Sequence, residues 1–500
     1  MNDLAIHLTD GNGKHLYEQI YEYIADEIRE GKLLAGEKLP STRSLAEYLQ
    51  VARSTVELAY GQLQSEGYIE SIPYKGYFIC RVEELYRLGP AENRGNGNVG
   101  HGSRDPGNES HGSGDPGNSR QGNGGPAGQA DGWRNGRREG RFAIDFSPNA
   151  IDMDLFPFGI WRRITREILS GDRKELFALG EPRGDLELRK TVCRYLHASR
   201  GVNASPEQII VGAGNDYLLL LLQYILGRQI TAAFENPSYR RAFRIFSSFA
   251  AKTVTVPSDE GGIRVDGLLA SGADVAYVMP SRQFPTGTVM PIGRRTELLR
   301  WAAGSPGRYL VEDDYDSEFR YRGKPVPSLQ SADAAGRVIY IGTFSKSVAP
   351  AIRISFMVLP ERLLEAYEKN CGFFSSTVSR IDQTVLNEFI LSGAFERHLN
   401  RMRKAYREKH DLLLDCLQPL LGRYRLSGEY AGLHVLLTSR EPAREEELLG
   451  RAADCGVRIY GLKEAALAPL QTECATVLLG YGGLDAEKIK EGTRRLDRVL

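Results

Sequence analysis

Between residues 90 and 141 the chain changes character. Glycine makes up nearly a third of the stretch, and Asn, Ser, Pro and Arg fill most of the rest. The decapeptide His-Gly-Ser-Arg-Asp-Pro-Gly-Asn-Glu-Ser from His101 is followed at once by His-Gly-Ser-Gly-Asp-Pro-Gly-Asn-Ser-Arg from His111, a tandem duplication. Such a tract has too little apolar surface to offset its own ordering entropy. It therefore divides the chain into residues 1–80 and 143–500, each with its own core to build, joined by a flexible linker over 81–142. As a coil of about 50 residues the linker spans roughly 40 Å root mean square. Arg134, Arg137, Arg138 and Arg141 at its end are read as part of a solvated tether.

Five hundred residues with 41% hydrophobic content leave ample material for cores on both sides. The formal net charge of +0 removes any global attraction to nucleic acid or membrane. The six cysteines are scattered without a Cys-x-x-Cys pair. That speaks against a disulfide framework or a zinc site and fits a cytoplasmic protein. No secretory signal is visible at the N-terminus, and the apolar run Tyr217–Leu226 is too short to span a bilayer.

Leu16, Ile20, Ile24 and Ile28 recur at helical spacing over 16–30. Gly36 to Pro40 breaks the chain, Ser41 is a natural N-cap for a short helix through Leu49, and Gln50-Val51 turns into a third helix over 53–66 that stops at Gly67. Two short β-like runs, 68–72 and 77–80, flank Pro73-Tyr74-Lys75-Gly76. Helix, helix–turn–helix and hairpin make a winged helix-turn-helix. Seven Lys and Arg face twelve Asp and Glu in residues 1–80, which counts against nucleic-acid binding on bulk charge. Yet Lys38, Arg43, Arg53 and Lys75 gather in the helix-turn-helix and wing, with acids concentrated on the first helix. Recognition helices read bases with their N-terminal residues, here Arg53, Ser54 and Thr55. Lys75-Gly76 at the wing tip suits a minor groove or phosphates.

From about residue 143 short apolar strands alternate with amphipathic helices: 208–211, 230–234, 253–256, 275–279, 309–311 and 338–341. This predicts an α/β fold with a mostly parallel sheet, whose ligand groups lie at the carboxyl ends of the strands. The ends are chemically rich. Gly212-Ala213-Gly214-Asn215 leads into a helix and suits an anion, although a Gly-x-Gly alone is more often just a turn. Tyr239 is available to stack on a planar ring, and Pro280 to Gly287 forms a loop. Adjacent carboxylates at Glu312-Asp313-Asp314-Tyr315-Asp316 are costly unless a cation accompanies them. A protonated pyridine nitrogen answers that need better than a metal, since no His or Cys lies nearby in sequence. In Gly342-Thr343-Phe344-Ser345-Lys346, Lys346 suits a Schiff base to a phosphate-bearing aldehyde, with Thr343, Ser345 and Arg353 placed to hold the phosphate.

In this order, phosphate turn, Tyr, Pro-Thr-Gly loop, Asp-x-Tyr, Ser-Lys and Arg resemble the fold-type I, pyridoxal phosphate (PLP)-dependent aminotransferases. Glu312 to Tyr321 and Gly342 to Lys346, with Leu39 to Ala46 and Arg53 to Tyr60, resemble more specifically the MocR/GabR-type bacterial regulators. Those fuse a GntR-like winged helix to an aminotransferase-like domain. The resemblance covers all but the linker. It implies a Schiff base on Lys346, Asp313 on the pyridine nitrogen, Tyr315 on the phenolic oxygen and Tyr239 on the ring. Ala213, Gly214, Asn215, Thr343, Ser345 and Arg353 would hold the phosphate, and Arg43, Arg53, Ser54, Thr55, Lys75 and Gly76 would meet DNA. It further implies a smaller C-terminal α+β subdomain, a homodimer, promoter DNA as partner and a small-molecule effector, PLP itself or an amino acid. One departure is Arg282, where the family usually has His. Another concerns the arginine with which aminotransferases grip a substrate carboxylate: the stretch Val477–Tyr481 has none, and Arg458 is the nearest upstream. The alternative is a working aminotransferase with an appended DNA-binding domain.

Overall fold

A computed structural model describes residues 6, 8, 15–72, 75–80, 142–321, 326–470 and 472–500. The linker expected over 81–142 falls, apart from Phe142, outside the described residues, as do Arg134, Arg137, Arg138 and Arg141.

The N-terminal domain has helices Leu16–Arg29, Thr42–Leu49 and Arg53–Ser65, then an antiparallel hairpin of Ile69–Ile72 with Gly76–Ile79. The predicted stripe Ile20, Ile24 and Ile28 is buried against Val56, Leu63 and Tyr68. The Ser41 hydroxyl accepts the Ser44 N–H at 3.1 Å and so caps the second helix. Gln50 ends that helix in the left-handed conformation, and Gly67 (φ +75°) turns the chain from the third helix into the wing.

The large domain is built on an eight-stranded sheet. Across it run Ile209–Gly212, Ser355–Val358, Val338–Thr343, Tyr309–Asp314, Val275–Val278, Thr231–Asn236, Lys252–Asp259 and Gly262–Ile263. Five central strands, from Val338–Thr343 to Lys252–Asp259, are mutually parallel. Ser355–Val358 runs antiparallel to both neighbours, and the edge pair Gly262–Ile263 is antiparallel as well. The six strands read from the sequence are all present. Ser355–Val358 was not foreseen, because three apolar residues after a serine give neither a turn signal nor a direction.

Alternation along each strand feeds two faces. Ile210, Phe234, Tyr277, Val311 and Ile341 pack with helices Asn215–Leu226, Arg240–Phe249 and Leu364–Cys371. Val211, Tyr340 and Phe356 pack on the other side with helices Leu186–Arg200 and Arg380–Leu391, and Ala233, Ala276 and Leu310 with helix Ile292–Ala303.

The C-terminal subdomain is α+β. Its antiparallel sheet orders Tyr424–Ser427, His434–Ser439, Thr476–Gly480 and Tyr460–Gly461, covered by helices Ala394–Leu417, Glu445–Asp454 and Ala486–Val499. Ile144–Asp145 pairs in parallel with Val457–Arg458, so Ile144 and Phe146 sit in this subdomain's core although they open the large domain in sequence.

Candidate functional site

The sheet register brings the polar segments to one edge. Thr343 pairs with Ser355, Ser355 with Gly212, and Gly342 with Asp314. Ala213–Asn215, Asp313–Asp316 and Thr343–Lys346 therefore leave the sheet side by side. The loops that follow Val275–Val278 and Thr231–Asn236 carry Arg282 and Tyr239 to the same edge.

At one end lies an anion cradle. Gly214 (φ +89°) precedes helix Asn215–Leu226, whose first-turn N–H groups have no helical acceptor. A Cβ on Gly214 would overlap the Arg353 guanidinium. Arg353 Nη2 donates to Ala213 O at 3.4 Å and lies 3.5 Å from the Asp216 carboxylate. The Ala213 N–H donates to Thr377 Oγ1 at 3.0 Å. The Thr343 and Ser345 hydroxyls are 3.0 Å apart, and Ser355 Oγ donates to Thr343 at 2.8 Å. Hydroxyls, a guanidinium and a helix N-terminus thus meet in one place.

The four buried carboxylates of the strand end go separate ways. Glu312 accepts the N–H groups of Leu329 (2.7 Å) and Gln330 (2.9 Å). Asp314 pairs with Arg200 at 2.7 Å, both side chains almost fully buried, and accepts the Tyr340 hydroxyl at 2.5 Å. Asp316 pairs with Arg282 at 3.1 Å. Asp313 accepts from neutral donors, the Tyr277 hydroxyl and the Asn215 amide at 3.4 Å, and burial pushes its pKa up to about 7. Asn215 Oδ1 is itself buried without a partner. Glu312 lies within electrostatic reach of Arg200, so Asp313 is the carboxylate of the four still in need of a cationic neighbour.

Lys346 lies within electrostatic reach of Asp316 and Arg282. Its ammonium donates to Asn149 O at 3.2 Å and Pro148 O at 3.4 Å, and burial lowers its pKa to about 8 while nearby Asp316 works the other way. An amine so placed is a usable nucleophile near neutral pH. Tyr315 accepts from Arg282 Nη1 at 3.2 Å, and Phe284 stands edge-on to both Tyr315 and Tyr239. Tyr239, half-buried, is the last residue before helix Arg240–Phe249. Arg282 is buried, and it also donates to His434 O at 2.9 Å.

The candidate large-domain residues therefore converge. Reading the sequence missed Arg200, Tyr277, Thr377, His434 and the Pro148–Asn149 carbonyls. Tyr277 was hidden in an apolar strand, and the others come from segments remote in sequence that carry no motif. Among the described residues no group of three or more His, Cys, Asp or Glu is placed to hold a metal ion, and no helix is long and apolar enough to cross a membrane.

In the N-terminal domain, Arg43 and Arg53 line one shallow concavity between the second and third helices. Both are exposed and in i,i+4 ion pairs, Arg43 with Glu47 at 3.0 Å and Arg53 with Glu57 at 2.7 Å. Such exposed pairs are weak and leave the arginines free to turn to a phosphate. Ser54 and Thr55 follow in the first turn of the third helix. Lys75 is exposed beside the wing turn, and Gly76 opens the second wing strand against Lys38.

The comparisons agree with this two-part construction. The family "Bacterial regulatory proteins, gntR family" matches residues 16–79, and "Aminotransferase class I and II" matches residues 144–450. The uncharacterized HTH-type transcriptional regulator YhdI of Bacillus subtilis (strain 168) is 39% identical over 99% of this chain and 97% of its own length. The probable rhizopine catabolism regulatory protein MocR of Rhizobium meliloti is 32% identical over 96% of this chain and 93% of its own. The structure of LysN, the α-aminoadipate aminotransferase of Thermus thermophilus, complexed with N-(5'-phosphopyridoxyl)-L-leucine, is similar with a TM-score of 0.62. It is 28% identical, over 71% of this chain and 92% of that one. A GntR-type reading head followed by a fold-type I aminotransferase domain, shared with MocR over nearly the whole length, means that this chain belongs to the MocR-type family of HTH transcriptional regulators.

Proposed function

We propose that this regulator binds PLP in the large domain and transmits the occupancy of that site to promoter DNA. The observation that carries the reading is that the buried, cation-poor Asp313, the pKa-lowered Lys346 and the Gly214–Arg353 cradle leave the sheet at one edge. The residues fit the group. Arg353, Thr343, Ser345 and the turn of Ala213, Gly214 and Asn215 at the start of helix Asn215–Leu226 would hold its phosphate. Asp313 would face its pyridine nitrogen, Tyr315 its phenolic oxygen and Tyr239 its ring, while Lys346 would form the Schiff base. When bound, PLP supplies an aldehyde for amines and an electron-withdrawing ring. The solved LysN complex holds a phosphopyridoxyl amino acid in the same fold, which supports a PLP- or amino-acid-linked signal here.

The chain's own groups favour sensing over turnover. Tyr277 and Asn215 orient Asp313, Arg282 orients Tyr315, and two backbone carbonyls hold the Lys346 amine. The strand Thr476–Gly480, where the fold's carboxylate-gripping arginine is expected, is wholly buried and carries Val477, Leu478 and Leu479. Without that grip an amino acid is held loosely, and orientation is worth several kcal/mol of a barrier. Titrating the purified protein with PLP and following its visible absorption tests the cofactor assignment. No saturable band would overturn it.

For DNA, Arg43→Ala and Arg53→Ala are each expected to cost on the order of 1–3 kcal/mol of operator affinity. Footprinting the double variant checks this, and undiminished promoter protection would move the interface elsewhere. We further propose a homodimer that presents two winged helices to half-sites spaced by whole turns of DNA. Light scattering on the PLP-loaded protein is expected to read twice the 55.5 kDa chain mass; a monomer at micromolar concentration would refute it.

A further inference from the structure

Among the described residues the winged helix meets the large domain around Glu66 and Gly67. The Ile292 N–H donates to Glu66 O at 2.9 Å, and the Ile292 side chain packs against the winged-helix core. Gly67 lies flat on Pro291; a Cβ there would come within 2.7 Å of the proline's own Cβ. The Glu66 carboxylate is buried, accepts from Tyr21 at 2.6 Å and Gln62 at 3.0 Å, and lies within electrostatic reach of Arg295 and Arg320 of the large domain.

Both halves of that seat lead straight to the cofactor pocket. Pro291 and Ile292 end the loop that begins at Pro280 and carries Arg282. Its two ends are tied together by the buried Arg295, which donates to Pro280 O and Met290 O, each at 2.9 Å. Arg320 ends the segment that begins with Tyr315 and Asp316. It forms a β-bridge with Ala431, and the next residue, Gly432, donates to Phe319 O at 2.7 Å. Gly432 in turn packs against the Arg282 guanidinium, where any Cβ would collide with it. The two segments thus converge twice, on Arg282 beside Tyr315 and Asp316, and again around Glu66.

We infer that the contact of Glu66 and Gly67 with Pro291 and Ile292 is a latch whose strength is set by pocket occupancy, so that a ligand on the Lys346 side changes how firmly the winged helix is held. The inference rests on the PLP-binding reading. A displacement at Arg282 has two short, tied routes to the latch, through the Pro280–Pro291 loop and through Phe319–Arg320. Binding linkage is reciprocal: whatever the ligand does to the latch, opening the latch does to the ligand's affinity.

The test uses full-length protein carrying Ile292→Asp. An acid in the first turn suits helix Ile292–Ala303, so the large domain keeps its fold while the apolar seat and its pairing with the winged-helix core are lost. Glu66→Gln, isosteric at the same joint, is the second variant. Hydrogen exchange around residues 66–68 is expected to rise in Ile292→Asp. The PLP dissociation constant, read by absorption titration, is expected to shift about fivefold or more, in the same direction in both variants. The PLP-dependent change in DNA affinity is expected to be lost. Unchanged exchange at 66–68, or raised exchange with a PLP affinity within about twofold of the parent, would overturn the latch. Absence of any PLP band in the unmodified protein would instead overturn the cofactor reading beneath it.

Discussion

Lys346→Ala is expected to abolish the visible absorption band proposed for PLP in the parent protein, because Lys346 leaves the sheet edge beside Asp313–Asp316 and the Gly214–Arg353 cradle. With the proposed phosphate-binding residues kept, the variant is expected to retain PLP more weakly and with the spectrum of the free aldehyde. The parent carries a pH signature as well. Burial lowers the amine's pKa to about 8, and the neutral amine is the nucleophile. The rate of band formation on adding PLP therefore rises with pH through about 8 and levels off above it, where an exposed lysine would keep rising for about two more units. A band retained in Lys346→Ala, or a rate still climbing well above about pH 9 as for an ordinary lysine, would place the chemistry on another residue.

The second large effect is on stability. Arg200 is 4% exposed and Asp314 1%. Arg200 joins helix Leu186–Arg200 to the end of strand Tyr309–Asp314, and it also donates to Val326 O and Ser281 Oγ. Arg200→Met removes the cation and leaves Asp314 buried with the Tyr340 hydroxyl. Breaking a buried pair in this way costs about 3–5 kcal/mol. The double variant Arg200→Met, Asp314→Leu recovers much of the stability, since two buried ions replaced by apolar groups are often near neutral. Urea unfolding of both variants checks this. A loss below about 1 kcal/mol for Arg200→Met, the size of an ordinary substitution, would show that the pair does not anchor the strand end.

The contrast between Asp313 and Asp314 shows what the sequence could and could not convey. Side chains alternate along a strand, so adjacent carboxylates point to opposite faces, and the need for cations was legible from their adjacency alone. Which of them already had one was not. Arg200 lies 114 residues upstream at the end of an ordinary amphipathic helix, and nothing local marks it. Lys346, Gly214 and Arg353 were legible because each carries its signal within a few residues: a strand end, a glycine before a helix, a cation past a hydroxyl pair. Tyr277 was not, since in an apolar strand a tyrosine reads as core, and it is core on every side but its hydroxyl. Ser355–Val358 escaped for a related reason. An apolar run tells of burial, whereas its direction depends on a hairpin built around Arg353 in a left-handed conformation (φ 52°), which few non-glycine residues adopt. The winged helix was the most legible part, because caps, turns and helical stripes are all local signals.

The role proposed for the large domain is to sense a ligand without turning it over. One preparation of PLP-loaded protein tests it, assayed for steady-state transamination with common amino acid and keto acid pairs, and for operator affinity with and without PLP and with each amino acid. Negligible turnover together with a ligand-dependent change in DNA affinity is expected. Turnover of roughly 1 per second or faster, within the ordinary enzyme range, with DNA affinity indifferent to every ligand, would contradict it.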